Sequence, residues 1–186
     1  MISSPDPARL ILVTGPARSG KSEWAERLAD RSQRSVLYIA TAAIDPADLE
    51  WQTRIASHRH RRPAHWQTQE IQTDLAGFLQ STSAQDCLLI DSLGTWLANL
   101  LEQSDEAWIE TQQSFLANLK ASPSSIILVA EEVGWGVVPA YPLGRTFRDR
   151  LGSLTRCIGA IADQVYLVTG GYVLNLSQLG IPLPKS

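Results

Sequence analysis

Residues 15–22 read GPARSGKS, which fits G-x-x-x-x-G-K-(S/T), and they stand between an apolar run and a stretch of helical character. No other feature restricts the fold so strongly. A glycine-rich turn that ends a buried strand and opens a helix aims successive backbone N–H groups at one point, at the positive end of the helix dipole. Such a nest holds an anion, and at this length a triphosphate. In this reading Gly15, Pro16, Ala17, Arg18, Ser19 and Gly20 form the cradle, and Lys21 carries positive charge to the terminal phosphate oxygens. The Ser22 hydroxyl is a ligand for the magnesium ion that travels with the nucleotide. The motif specifies nucleoside triphosphate binding and leaves the reaction open.

The rest of the chain supports the same architecture. Arg9–Thr14, Val36–Thr41, Cys87–Asp91, Ser125–Ala130 and Val165–Thr169 are short runs apolar on both faces, the pattern of strands buried between helices. Helical patterns fall between them at Lys21–Asp30, Ala47–Ser57, Thr73–Gln80, Leu93–Leu101, Glu106–Leu119 and Arg145–Ile161. Alternating strands and helices imply an α/β fold with a mainly parallel sheet and right-handed crossovers. With 186 residues the chain reads as one domain. Residues 45–70, rich in Arg, His and Trp, read as a functional excursion from it, with Pro63 ending any helix near Arg62. The tail GIPLPKS reads as a surface strap or a frayed end.

Charge and composition narrow the partners. Lys+Arg 16 against Asp+Glu 19 makes the chain slightly acidic, which argues against a general nucleic-acid binder. No apolar run has the length of a membrane span, and the first residues lack a signal-peptide layout, so a cytoplasmic protein is expected. Cys87 and Cys157 lie far apart with no CxxC, as expected of small core residues in a reducing compartment.

Two further features carry chemistry. Asp91 ends the run LLID, where a carboxylate at the C-terminal end of a buried strand can hold magnesium through water; the alternative is a helix cap at this corner. His58, His60 and His65, the chain's three histidines, fall within eight residues beside Arg54, Arg59, Arg61 and Arg62. This basic island suits a second phosphate-handling surface, in which a histidine is nucleophile, general base or merely solvated. Zinc does not fit, because His58 and His60 are spaced i, i+2 and no cysteine is near. Trp51 and Trp66 flank the island and read as core or rim packing.

Together these blocks resemble the bifunctional adenosylcobinamide kinase / adenosylcobinamide-phosphate guanylyltransferase family of cobalamin biosynthesis. The resemblance rests on LVTGPARSGKS, on VLYIATA, and on Asp48, Glu50, Arg54, Ile55 and His58 followed by RRPAHWQTQE. It continues through LLIDSLGTWLANLL, EEVGWGVVP, Arg145, Phe147–Asp149 and Gly152. The match runs in order from about Leu10 to Leu176.

The resemblance implies a RecA-like P-loop NTPase domain assembled as a homotrimer, with ATP and GTP as substrates, Mg2+ as cofactor and a corrinoid as partner. It implies phosphorylation of adenosylcobinamide, then transfer of GMP from GTP to the phosphorylated product through a GMP-histidine intermediate. A small-molecule P-loop kinase without the second activity is the alternative. By resemblance His58 carries the GMP, and Arg59, His60, Arg61 and Arg62 form a nucleotide-contacting stretch. Ala40, Thr41, Ala42, Glu70 and Asp91 match further nucleotide-contacting positions. The chain departs from the family pattern at Pro16, in place of a second glycine, which removes one backbone donor from the nest. It departs also at Glu131, where an Asn is usual, and at Thr155–Arg156, where an Asn-Gln pair is common.

Overall fold

The structure is a computed structural model and describes residues 8–43 and 62–184. Its elements follow the expected alternation. The first strand, β1, is Leu10–Gly15, and every residue in it is buried. The others are β2 Ser35–Ala40, β3 Gln67–Glu70, β4 Asp86–Asp91, β5 Ser125–Glu131, β6 Gln164–Thr169 and β7 Tyr172–Asn175. The helices are α1 Lys21–Arg31, α2 Leu75–Leu79, α3 Leu93–Asn99, α4 Asp105–Ala121, α5 Pro142–Gly159 and α6 Leu176–Leu179.

The described strands form one sheet in the order β3-β2-β4-β5-β1-β6-β7. Every pairing is parallel except that of β6 with β7. Alternation along β1 explains the two-sided burial: Leu10 and Leu12 enter one core, Ile11 and Val13 the other. The first core joins the sheet to α2, α3, α4 and α5, around Trp96, whose ring centroid lies 4.7 Å from that of Phe115. The second core lies under α1, where the small residues Ala25 and Ala29 bring the helix close to Val13, Leu89 and Val129. The sheet is thus flanked by helices on both faces, as double-sided apolar strands require.

The differences from expectation have physical causes. The helix expected at Thr73–Gln80 is reduced to Leu75–Leu79, capped by Asp74. The last long helix starts earlier, at Pro142, whose fixed φ and missing N–H suit a first helical position. Residues Gln67–Glu70, expected in the excursion, pair along β2 as the edge strand β3 although all four are exposed. Main-chain hydrogen bonds to a sheet edge need no apolar side chains, so periodicity carries no trace of such a strand. The hairpin to β7 turns on Gly170 and Gly171, both at positive φ, and its exposed strand likewise lacks a buried pattern. The helix expected at Ala47–Ser57 lies outside the described residues. Cys87 is buried, Cys157 half-buried, and both are free thiols.

Candidate active site

The phosphate loop bridges β1 and α1 at the C-terminal edge of the sheet. Arg18 (φ 59°) and Gly20 (φ 92°) are both left-handed, a backbone course that turns successive N–H groups inward. Gly15 is required by packing: a Cβ there would stand 2.3 Å from the carbonyl oxygen of Val168 in β6. The first turn of α1 has no side-chain cap, whereas α2, α3 and α4 are capped by Asp74, Ser92 and Ser104. Its orphan N–H groups are therefore available to an anion. Lys21 is buried and its Nζ folds back to donate to the Pro16 carbonyl at 3.3 Å. Pro16, which lacks an N–H, thus still serves the loop through its oxygen, which also accepts from the Ser19 N–H. The Ser19 Oγ is buried with no hydrogen-bond partner inside this loop.

Sheet register gathers other expected positions along the same edge. Ala40 pairs with Glu70 on one side and Asp91 on the other. Gly15 pairs with Glu131. Because β5 lies between β1 and β4, the backbones of the loop strand and the Asp91 strand are about 10 Å apart by ordinary strand spacing. Glu70 is exposed at the end of β3.

Around Asp91 the structure shows a cluster that the sequence reading missed. The Tyr38 hydroxyl donates to Asp91 Oδ2 at 3.0 Å. The Arg62 guanidinium stacks on the Tyr38 ring, its Cζ 3.3 Å from the centroid, and Nη1 donates to Thr68 Oγ1 at 3.3 Å. Burial and then the charge of Asp91 raise the Tyr38 phenol well above its ordinary value, with Arg62 pulling the other way. Tyr38 is therefore a stable donor. An oxygen-bearing ring within the otherwise apolar run VLYIA was the one signal that could have marked it.

The corner after Asp91 is held by a second network. Ser92, rather than Asp91, is the N-cap of α3, and Ser92 and Thr95 form a reciprocal capping box. Glu131 accepts from the Ser92 hydroxyl and, at 2.9 Å, from the Gly94 N–H. Thr41 is fully buried, accepts from the Ser92 N–H at 2.9 Å and bonds to Thr95 Oγ1 at 2.6 Å. The Ala40 carbonyl accepts from Ile71, and that of Thr41 from Asn99. The Thr41 side chain is thus a clip between β2 and α3, while the half-buried Ala40 and Ala42 border the edge.

Of the expected site residues, the loop positions, Ala40–Ala42, Arg62, Glu70 and Asp91 are described, and they share the C-terminal edge or its border. His58, Arg59, His60 and Arg61 lie outside the described residues. His65 is exposed and Trp66 is buried in the α1-side core, as expected of a packing residue.

Among the described residues, the Ser22 hydroxyl and Asp91 Oδ1 are oxygen donors suited to a divalent ion, Tyr38 engaging the other oxygen of Asp91. Among the described residues no group of three acidic, His or Cys side chains is placed to hold a metal. That set fits magnesium, which retains waters and substrate phosphates and takes one or two protein oxygens.

The sequence model described as cobinamide kinase / cobinamide phosphate guanyltransferase matches residues 11–176. The chain belongs to that family. The match spans β1 through the first residue of α6, so it includes both the phosphate loop and Asp91. The bifunctional adenosylcobalamin biosynthesis protein CobP of Pseudomonas aeruginosa is 44% identical over 174 residues, covering 92% of this chain and 98% of that protein. The CobU protein of Salmonella typhimurium, with the same description, is 40% identical over 177 residues, covering 87% and 96%. A structurally characterised protein of Pyrococcus horikoshii OT3 superimposes with a TM-score of 0.55 at 7% identity, over 90% of this chain and 85% of that one, a likeness of fold alone. Family membership marks the chain as an enzyme of this general kind. Among the described residues no helix is long and apolar enough to cross a membrane.

Proposed function

We propose that the chain is a single RecA-like P-loop domain that runs two reactions on one corrinoid substrate. In the first, the hydroxyl of adenosylcobinamide attacks the γ-phosphorus of ATP or GTP, and the nucleoside diphosphate leaves. In the second, His58 attacks the α-phosphorus of GTP, pyrophosphate leaves, and the phosphate of adenosylcobinamide phosphate then displaces the histidine to give adenosylcobinamide-GDP. The observation that carries this reading is the uncapped nest of β1 and α1 standing two strands from Asp91, in a chain of this family.

The residues divide the work. Backbone N–H groups of residues 15–20 and the first turn of α1 receive the phosphates, and Lys21 swings from the Pro16 carbonyl to the terminal oxygens. Ser22 and Asp91 would hold magnesium, which supplies charge neutralisation on the transferred group when bound. His58 in neutral form supplies the nucleophilic lone pair and so divides one substitution into two. Arg59 and Arg61 contribute positive charge around the crowded anions, with His60 between them in the same nucleotide-contacting stretch. Arg62 ends that run in the sequence, and its stacking on Tyr38 sets Arg62 itself beside the Asp91 end of the sheet. Glu70, exposed at the same edge, is suited to accept two N–H bonds from a guanine edge.

The excursion expected at residues 45–70, whose last four residues form β3, is read as the carrier of the guanylyl step, and the assembly as a homotrimer. Exposed Trp135, Val137, Val138, Tyr141 and Leu143 after β5 supply apolar surface that a second copy would cover.

Covalent labelling tests the reading. Incubation with α-labelled GTP should leave acid-labile, alkali-stable label on the denatured protein, and γ-labelled GTP should leave none. His58→Ala should lose the label and guanylyl transfer while retaining phosphorylation of adenosylcobinamide. Phosphorylation without α-label on the unaltered chain would identify a P-loop kinase alone. Label surviving in His58→Ala but lost in His60→Ala or His65→Ala would assign the nucleophile elsewhere.

A further inference from the structure

Tyr38 is a buried residue of β2, 3% exposed, with each end of its side chain engaged. Its hydroxyl meets one oxygen of Asp91, and its ring face is covered by a guanidinium in close stacking. A ring that served only to fill the core would not need the hydroxyl at all, since phenylalanine fills nearly the same volume without a buried oxygen to satisfy. The arrangement is also directional. Engaging Oδ2 leaves Oδ1 as the oxygen of Asp91 that meets no donor among the described residues. Arg62 is fixed in turn by Thr68 in the edge strand β3, so the chain Thr68–Arg62–Tyr38–Asp91 runs from the sheet edge to the metal-side carboxylate.

We propose that Tyr38 and Arg62 are positioning residues for Asp91, with the Tyr38 hydroxyl orienting the carboxylate so that Oδ1 receives hydrated magnesium and Arg62 locking the ring that carries the hydroxyl. This rests on the magnesium role given to Asp91 above. Arg62, grouped by resemblance with the nucleotide-contacting stretch, acts here through the protein rather than on the nucleotide. Seating Arg62 also links the start of β3, through Thr68, to the end of β4 at Asp91. Hydrogen bonds of this kind orient ligands in other metal sites, where losing one weakens metal affinity by about 10–100-fold. Magnesium leans mostly on phosphate and water, so the effect here is expected at the low end of that range.

The experiment measures GTP binding to the full-length protein by calorimetry, with and without a magnesium titration. For Tyr38→Phe the magnesium concentration at half-effect should rise about ten-fold, while GTP affinity without magnesium stays within about two-fold, because the ring and its packing remain. Arg62→Ala should shift the same quantity in the same direction, and the double variant should fall short of the product of the two shifts, as residues in one network do. Arg62→Lys, which keeps charge but loses the planar stack, should behave like Arg62→Ala. An unchanged magnesium titration in Tyr38→Phe overturns the proposal. So does an equal loss of GTP affinity with and without magnesium, which is the signature of a purely structural tyrosine. Absence of α-label on the unaltered chain would overturn guanylyl transfer and leave this comparison standing, since it reads binding alone.

Discussion

Glu131 offers a sharp test of how the corner after Asp91 is built. Its carboxylate accepts from the Ser92 hydroxyl and from the Gly94 N–H, and so closes the first turn of α3. Replacing it by alanine removes two hydrogen bonds to a charged acceptor, each worth roughly 1.5–3 kcal/mol. The losses are unequal. Ser92 Oγ can fall back on Thr95 Oγ1 at 3.2 Å, whereas Gly94 is buried and its N–H has no other acceptor among the described residues. The favourable charge at the helix N-terminus also goes, worth about 0.3–1 kcal/mol. The expected cost of Glu131→Ala is therefore about 2–4 kcal/mol, or a fall of roughly 4–15 °C in thermal midpoint for a domain of this size. Glu131→Gln keeps one carbonyl oxygen for Gly94, and the Ser92 hydroxyl can turn to accept from the amide, so the loss should be about half as large. Thermal unfolding followed by circular dichroism, with a urea titration for the free energy, measures both. A midpoint within about 2 °C of the parent in Glu131→Ala would refute the capping role. Equal losses in the two variants would refute the part assigned to the carboxylate oxygens.

Lys21→Ala should abolish measurable triphosphate binding and both reactions, read by calorimetry and turnover; full phosphorylation by the variant would remove Lys21 from the mechanism. The raised Tyr38 phenol predicts an alkaline weakness. A proton held more tightly in the folded than in the unfolded chain gives stability that is complete below the ordinary tyrosine value near pH 10 and is lost as pH rises beyond it. Urea midpoints should fall above pH 10 and fall less steeply in Tyr38→Phe; parallel curves for the two proteins would count against the shift. Sedimentation at micromolar concentration should give a trimer, and a monomer there would contradict the assembly proposed above.

The central strands, the phosphate loop and the helices beside them were legible because their signals are local. A buried parallel strand must be apolar on both faces, and RLILVT, CLLID and SIILVA say so without any partner in view. The turn GPARSGKS is likewise self-contained: left-handed backbone at Gly20 and the helix start at Lys21 are properties of eight consecutive residues. The strands β3 and β7 were not legible, because their exposed residues earn their place through backbone bonds to an edge that only the assembled sheet presents.

For the candidate site the same division holds. The sequence alone marked a glycine-rich turn suited to an anion and a carboxylate that ends a buried strand, since each is a residue type in a local context. What surrounds that carboxylate depends on how the chain folds. Tyr38 reaches Asp91 across 53 positions of chain, and Glu131 reaches Ser92 across 39, because β2, β4 and β5 lie side by side in the sheet. Periodicity reports which face of its own strand a side chain occupies. Which distant side chain it meets there depends on strand order and register, which are set by the packing of the whole sheet between its helices.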